Sequence, residues 1–414
     1  MVTILSAIGG LALFLFGVRT LSQGMEQLAG SQLQVWLDKA TNRPLKGATF
    51  GAVATALLQS SSLLMVTMIG LINGGLLTLE QAIGVMLGQE IGTTLTGQLI
   101  AFDVGIIRFV AVAVGVVLLE FGKDKSRRYG EILLGFGVLF MGMRAMSDAL
   151  RPLATHPETA RWLASMGQNP LLGVAAGAVF TAAIQSSSAM TGLVVAMGSS
   201  GVITLPGAIG LIYGANIGTC ITGLVASARA TVPARRASIA QIICNVFGVL
   251  LFLPFVGPYA GLLRHTSSYL PRQIANAHTI FNVAVSAILL PFVKPMVRLA
   301  KLLVPGKPAS RAPKVAYFID DHLRGVPSIA IREAAKELER LGATALEMVE
   351  LGQRALVYQE MDAATEVLRL ERQVADPLCD ALEGFLDDII AEKIDGPERK
   401  RCFQLKNANV DLER

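Results

Sequence analysis

The same polar tetrapeptide occurs twice in this chain, each time within an apolar stretch. Gln-Ser-Ser-Ser occupies 59–62 and 185–188, so the second copy follows the first after 126 residues. A Gly- and Thr-rich block begins at Gly88 and again at Gly214, at the same offset. Other small and polar residues recur in register, among them Pro44/Pro170, Gly51/Gly177, Thr55/Thr181 and Gly84/Gly210. A gapless repeat of this length indicates a duplicated structural unit.

The composition places this unit in a membrane. Hydrophobic residues make up 52% of the 414 residues and charged residues only 16%, whereas about 25% is usual for charged residues in soluble domains. Uncharged apolar stretches lie at 2–19, 106–119, 132–143, 239–262 and 274–292. Some of them need polar flanking residues to reach the roughly 20 residues of a helical crossing. We therefore predict an all-α polytopic membrane protein.

The character of the chain changes after Pro305. Residues 305–313 have the composition of a linker, and from 314 to 414 charged and apolar residues alternate at helical spacing, which predicts a soluble helical bundle. The last residues lack a helix-ending signal, so we expect this bundle to be incomplete. The membrane part divides into a first repeat (1–126) and a second repeat with additional C-terminal spans (127–304).

The distribution of basic residues predicts the orientation. With the C-terminal bundle in the cytoplasm, the basic clusters fall on the same side, as the positive-inside rule requires; they are Lys39/Arg43/Lys46, Lys123/Lys125/Arg127/Arg128, Arg229/Arg235/Arg236 and Lys294/Arg298/Lys301. The loops after the two repeats then lie on opposite sides of the membrane. The repeats are thus predicted to be inverted, as in many transporters.

The polar tetrapeptides are too costly to expose to lipid, because each unpartnered polar group costs a few kcal/mol. The apolar runs on either side are too short to cross the membrane, which predicts a re-entrant helical hairpin in each repeat with the serines at its tip. Broken helices expose backbone N–H groups that bind oxyanions and carbonyls that suit sodium. The alternative is that the serines and glycines only let helices approach closely.

A nucleophilic serine is not supported, because no Gly-x-Ser-x-Gly motif occurs in the chain. A Walker A loop for nucleotide hydrolysis is likewise absent from the sequence. We therefore expect a protein that is not an enzyme. The net charge of +5 comes from basic residues beside the spans, so nucleic acid is not an expected partner.

At these residues the sequence resembles the sodium-dependent phosphate cotransporters of the type II class, including bacterial members. The two Gln-Ser-Ser-Ser runs resemble the hairpins of that family, and residues 91–94 and 216–219 resemble its Gly-x-Asn-Ile-Gly-Thr element. Residues 275–282 are similar to its Ala-His-Thr-Phe-Asn helix. The resemblance implies phosphate binding by Gln59, Ser60, Ser61, Ser62, Thr93, Gln185, Ser186, Ser187, Ser188 and Thr219. It implies sodium binding, as the coupling ion, by Gln59, Ser62, Glu90, Thr94, Gln185, Ser188, Asn216 and Thr219.

One residue departs from the family pattern, because Glu90 stands where the second copy has Asn216. A carboxylate beside an anion site could be a sodium ligand, or burial could keep it protonated. It could also be structural and pair with Arg19 or Arg144. The sequence leaves these alternatives open.

The C-terminal segment resembles the PhoU-like helical bundle that follows the transport domain in many bacterial relatives. The resemblance as a whole implies sodium-coupled transport of inorganic phosphate by alternating access in the bacterial cytoplasmic (inner) membrane, with the bundle in the cytoplasm; a homodimer is one possibility. Three alternatives remain: a membrane phosphate sensor with the bundle as output, proton coupling, and another oxyanion as substrate.

Overall fold

A computed structural model describes residues 2–40, 43–73, 77–123, 125–154, 169–228, 230–306, 316–320, 323, 327–391, 394 and 396–413. These residues are mainly helical and contain no strand, which confirms the predicted all-α class. The α-helices are α1 (Val2–Ala40), α2 (Pro44–Leu58), α3 (Ser61–Asn73), α4 (Leu79–Ile100), α5 (Ile107–Phe121), α6 (Lys125–Ala154), α7 (Pro170–Ile184), α8 (Ser187–Ser199), α9 (Leu205–Ser227), α10 (Val232–Phe252), α11 (Val256–Arg264), α12 (Leu270–Leu289), α13 (Val293–Leu303), α14 (Pro327–Val357), α15 (Met361–Leu370), α16 (Asp376–Ala391) and α17 (Gly396–Glu413).

Five segments of the described chain are long and apolar enough to cross a membrane: Leu5–Leu28, Lys125–Pro152, Leu205–Ser227, Val232–Arg264 and Leu270–Leu303. The chain is therefore a membrane protein, as its composition predicts. Sequence analysis missed Leu205–Ser227, because the Gly-Thr block of the second repeat interrupts its apolar character. The stretch predicted at 106–119 forms only the 15-residue helix α5 and is not one of the five.

Helices α1 and α6 pack through glycines that bring their backbones together. A Cβ atom added at Gly17 would lie 2.3 Å from the Leu139 nitrogen, and one added at Gly135 would lie 2.3 Å from the Leu21 nitrogen. These distances are far shorter than any van der Waals contact. The pair can therefore approach this closely only because both positions lack a side chain.

Within each repeat, a glycine also allows close packing of two helices, α4 on α2 in the first repeat and α9 on α7 in the second. A Cβ at Gly88 on α4 would lie 1.8 Å from the Ala48 oxygen on α2, and a Cβ at Gly214 on α9 would lie 2.1 Å from the Val174 oxygen on α7. Each of these residues is related to its counterpart by the offset of 126. The helix that precedes each tetrapeptide is thus packed tightly on the helix that carries the Gly-Thr block of the same repeat.

Contacts divide the chain into two compact units. One contains Met1–Met65 and Thr78–Pro305, and the other contains Val66–Leu77 and Gly306–Arg414. Most of the predicted linker, 307–313, lies outside the described residues. The predicted domain boundaries stay predictions, and residues 66–77 group with the C-terminal helices rather than with the rest of the first repeat.

The C-terminal unit contains α14 to α17 and a buried carboxylate. Glu337 on α14 is fully buried, and one of its oxygens accepts hydrogen bonds from the backbone nitrogens of Tyr317 (2.8 Å) and Phe318 (2.5 Å). The other oxygen accepts from Nε of Arg340 at 2.6 Å. The three bonds together compensate the buried charge, and the two from Tyr317 and Phe318 fix the 317–318 segment on α14.

Candidate functional site

Both tetrapeptides lie where a helix breaks. Gln59 follows α2 with φ 55° and ψ 21°, and Gln185 follows α7 with φ 58° and ψ 30°. Their backbone nitrogens donate to the oxygens of Thr55 (2.8 Å) and Thr181 (2.7 Å). A left-handed conformation costs a residue with a side chain roughly 1–2 kcal/mol, and such strain is concentrated at functional sites.

The serines begin the next helix in each copy. The hydroxyl of Ser60 accepts a hydrogen bond from the Leu63 nitrogen at 3.2 Å, and that of Ser186 accepts from the Ala189 nitrogen at 3.2 Å, which is the geometry of an N-cap. Ser61 and Ser62 are half-buried, whereas Ser187 and Ser188 are buried. Each break therefore presents hydroxyls at the positive end of a 13-residue helix, where anions are favoured.

The two glutamines differ in their surroundings. Gln59 is buried, with its Nε2 donating to the Ala56 oxygen at 2.5 Å and its Oε1 accepting from Oγ1 of Thr96 at 2.6 Å. Gln185 is exposed. The counterpart of Thr96 is Thr222, whose hydroxyl donates to the Thr219 oxygen of its own helix at 2.9 Å. Only the first glutamine is thus held by the helix that carries the Gly-Thr block.

The Gly-Thr blocks lie in the middle of α4 and α9 and face the breaks. A Cβ at Gly92 would lie 2.7 Å from Cβ of Thr55, and one at Gly218 would lie 2.7 Å from Cβ of Thr181. The Thr55 and Thr181 hydroxyls are buried, and neither has a hydrogen-bond partner in the described part of the chain. Buried polar atoms of this kind usually have a partner, so each break adjoins oxygen atoms that are free to bind a ligand.

The block residues themselves are tied to their own helices. Thr93 donates to the Gln89 oxygen at 2.9 Å, and Thr219 donates to the Ala215 oxygen at 2.8 Å. Thr94 donates to the Ile91 oxygen, and Nδ2 of Asn216 donates to the Ile212 oxygen. Because each of these three hydroxyls donates its only hydrogen to the backbone, its oxygen can act only as an acceptor or as a cation ligand.

Glu90 lies on α4 one helical turn before Thr94, and its side chain contacts α10. Its Oε1 accepts hydrogen bonds from Nε2 of Gln241 at 3.2 Å and from Nδ2 of Asn245 at 3.1 Å. The described residues contain no ion pair of Glu90, and Arg144 instead pairs with Asp148 at 3.0 Å. The structural alternative of pairing with Arg19 or Arg144 is therefore wrong. Sodium binding and protonation both stay open.

Sequence analysis missed Gln241 and Asn245, although a second internal repeat could have identified their helix. Leu-Pro-Phe-Val occurs at 253–256 and again at 290–293, where a short 3₁₀ turn ends α10 and α12. At this same offset of 37, Gln241 corresponds to His278 and Asn245 to Asn282. The first of these helices was predicted only as part of the apolar stretch 239–262, and a role for polar residues was noted only in the second, through the resemblance of residues 275–282.

One protein family and several individual proteins are similar in sequence to this chain. The profile of the Na+/Pi-cotransporter family matches residues 13–148 and 141–260. "Uncharacterized protein YqeW" of Bacillus subtilis (strain 168) is 32% identical over 294 residues, which cover 71% of this chain and 96% of that protein.

Other relatives have names that describe an activity. "Putative inorganic phosphate export protein YjbB" of Escherichia coli (strain K12) is 25% identical over 415 residues, which cover 100% of this chain and 76% of that protein. "Sodium-dependent phosphate transport protein 2B" of Homo sapiens is 49% identical over 61 residues, or 15% of this chain and 9% of that protein. No solved structure matches the chain.

Proposed function

The chain belongs to the Na+/Pi-cotransporter family, and on this basis we propose that it moves inorganic phosphate by sodium-coupled secondary active transport, with alternating access around the two helix breaks. The family and the names of the relatives indicate a phosphate transporter, not an enzyme. The observation that carries the proposal is the duplicated break, in which a left-handed glutamine precedes a serine N-cap at Gln59 and again at Gln185.

Phosphate is proposed to bind at the breaks through hydroxyls, amides and backbone N–H groups. Gln59, Ser60, Ser61, Ser62 and Thr93 would form one half of the site, and Gln185, Ser186, Ser187, Ser188 and Thr219 the other. The Thr93 and Thr219 hydroxyls would have to leave their backbone acceptors in order to donate to phosphate. The positive ends of α3 and α8 supply partial charge without a full cation. An anion held in this way is released more readily than one paired with arginine, as a transport cycle requires.

Sodium is proposed to bind to oxygen atoms around the same breaks: Gln59, Ser62, Glu90 and Thr94 in the first copy, and Gln185, Ser188, Asn216 and Thr219 in the second. The orientation of the Thr94 and Thr219 hydroxyls supports this assignment, because their hydrogens point to backbone oxygens and leave lone pairs for a cation. Sodium would also offset the negative charge of phosphate nearby.

Alternating access is supported by the difference between the two copies. Gln59 is buried and held by Thr96, whereas Gln185 is exposed. If the copies are inverted re-entrant hairpins, as proposed, one would be closed while the other is open. In a symmetric cycle the two exchange these states.

The direction of transport is a second question. The relative of Escherichia coli that aligns with the whole chain is named as an export protein, which favours outward movement of phosphate as the second candidate function.

We place the protein in the bacterial cytoplasmic membrane, with the C-terminal unit as a PhoU-like bundle on the cytoplasmic side.

Flux of labelled phosphate in proteoliposomes tests the proposal. We expect a sodium gradient to drive uptake. Gln59→Ala or Gln185→Ala should reduce the affinity for phosphate or sodium roughly 5-fold to 150-fold, since a hydrogen bond lost when the site closes and excludes water costs about 1–3 kcal/mol. Gln359→Ala is the matched control, because Gln359 has the same left-handed backbone (φ 56°) in the C-terminal unit.

The outcomes separate the alternatives. Unchanged uptake in both variants would contradict the role of the breaks. Uptake driven by a proton gradient alone would show that protons are the coupling ion instead of sodium. Preference for sulfate or arsenate would show that another oxyanion is the substrate. A protein that binds phosphate without moving it would be a sensor.

A further inference from the structure

A buried polar cluster lies between α4 and α10 and joins Glu90 of the first Gly-Thr block to residues outside the repeated motifs. It consists of Glu90 on α4 and of Ser238, Gln241 and Asn245 on α10, and all four residues are buried. We call it the carboxylate cluster. Nδ2 of Asn245 also lies 3.6 Å from Sγ of Cys220. Because no ion pair of Glu90 exists among the described residues, the cluster contains a carboxylate without a cationic partner.

One carbonyl oxygen in this cluster is unused. Oε1 of Gln241 is buried and has no hydrogen-bond partner in the described part of the chain. It lies 3.0 Å from the position that a Cβ of Gly223 would occupy, and Oγ of Ser238 lies 3.4 Å from the same position. The Ser238 hydroxyl donates to the Gly223 oxygen at 2.7 Å, so its own oxygen is free to act as a ligand.

The carboxylate also has an oxygen outside these bonds. Both amide donors, from Gln241 and Asn245, bind Oε1 of Glu90, and Oε2 takes part in neither bond. The cluster thus offers a carboxylate oxygen, a carboxamide oxygen and a hydroxyl oxygen. These are hard ligands, of the kind that alkali and alkaline-earth cations prefer.

We propose that the sodium ion assigned above to Glu90 binds in the carboxylate cluster beside α10, with Glu90, Gln241 and Ser238 as ligands and Asn245 orienting the carboxylate. A single carboxylate matches a monovalent cation, since calcium sites usually combine several. The described residues contain no group of three acidic, His or Cys side chains that could hold a metal ion. The identity of the ion as the coupling ion depends on the proposed function, but its binding does not.

The duplication does not create a second copy of this site, which combines Glu90 of the first repeat with α10 residues beside Gly223 of the second. The counterpart of Glu90 is Asn216, and the counterpart of Gly223 is Gly97, where Thr191 and Nδ1 of His278 take the places near the glycine. A carboxylate is therefore present on one side of the duplication only. We therefore expect the cluster to bind one sodium ion per chain, without a second ion at a repeat-related position.

Sodium titration of the purified full chain without phosphate tests the site, with thermal stability as the readout. We expect sodium to raise the melting temperature, because a ligand that binds only the folded state stabilises it. Glu90→Gln and Gln241→Met should shift the sodium titration midpoint at least tenfold. Ser286→Ala is the matched control, since Ser286 donates to the Leu87 oxygen at 2.8 Å one turn from Glu90 and should leave the midpoint unchanged.

Glu90→Asn is a second variant for the case in which Glu90→Gln does not fold, because the second repeat already has asparagine, Asn216, at this position. A wild-type sodium midpoint in the folded Glu90 variants would overturn the proposal. Stabilisation that depends on pH and is insensitive to sodium would also overturn it, with a proton as the occupant. If wild-type protein shows the sodium response but no phosphate flux, the proposed function fails and the sodium site stands.

Discussion

The hydrogen bond between Thr96 and Gln59 offers a direct way to change the balance between the two breaks. It is 2.6 Å long and both side chains are buried. Thr96→Val preserves the shape of the side chain and removes the donor, which leaves Oε1 of Gln59 buried without this partner. Such a loss costs about 1–3 kcal/mol.

This cost applies only to conformations in which Gln59 is held by α4. A difference of about 1–3 kcal/mol shifts the equilibrium toward other conformations roughly 5-fold to 150-fold. Thr222→Val is the matched control, because it removes only a bond from the hydroxyl to the backbone of its own helix. The effect there should stay below about 1 kcal/mol.

Cysteine labelling measures the shift. With Ser61→Cys as a reporter beside Gln59, and with the four native cysteines, all buried, replaced by alanine, we expect Thr96→Val to raise the rate of maleimide labelling about 5-fold to 150-fold if labelling requires the open conformation. Thr222→Val should leave it almost unchanged. Equal labelling rates in the two variants would refute the assignment of a locked first break.

Two further predictions concern stability. Gly88→Ala places a Cβ 1.8 Å from the Ala48 oxygen and should destabilise the protein by about 3 kcal/mol or more. The measurement is the loss of monodisperse protein on heating in detergent. Gly257→Ala is the control and should not destabilise the protein, because nothing lies within 4 Å of the added Cβ. Glu337→Gln should destabilise the C-terminal unit by about 3 kcal/mol in denaturant unfolding of the full chain, and a change no larger than that of exposed Glu339→Gln would contradict the role of the buried carboxylate.

Much of the local structure around the breaks follows from sequence. Largely apolar runs at 45–58 and 171–184 predicted the first arm of each hairpin, and the helices are Pro44–Leu58 and Pro170–Ile184. This agreement has a physical reason, because proline begins a helix readily at its first position and a run of polar residues in an apolar stretch favours a break. Whether the hairpins are re-entrant and inverted stays a prediction.

The partner of Glu90 could not be predicted in this way. The sequence offered Arg144 as a cation, but Asp148 lies one helical turn further on and pairs with it. The observed partners, Gln241 and Asn245, are more than 150 residues away from Glu90 in sequence. Polar residues in an apolar helix show no sign of which neighbouring helix they face, so only the packing of α4 on α10 identifies this contact.

The glycine contacts between α2 and α4, and between α7 and α9, determine which parts of the molecule can move independently. Backbones that touch without intervening side chains cannot slide past one another without breaking van der Waals contact along the whole interface. The backbone at the end of α2 or α7 is therefore carried by the same rigid body as the Gly-Thr block beside it, and the side chain of its glutamine can leave that block only by rotating. Opening of a break must then occur at the serine helices α3 and α8, or between whole helix pairs, and mobility measured along α2 and α4 should be the same.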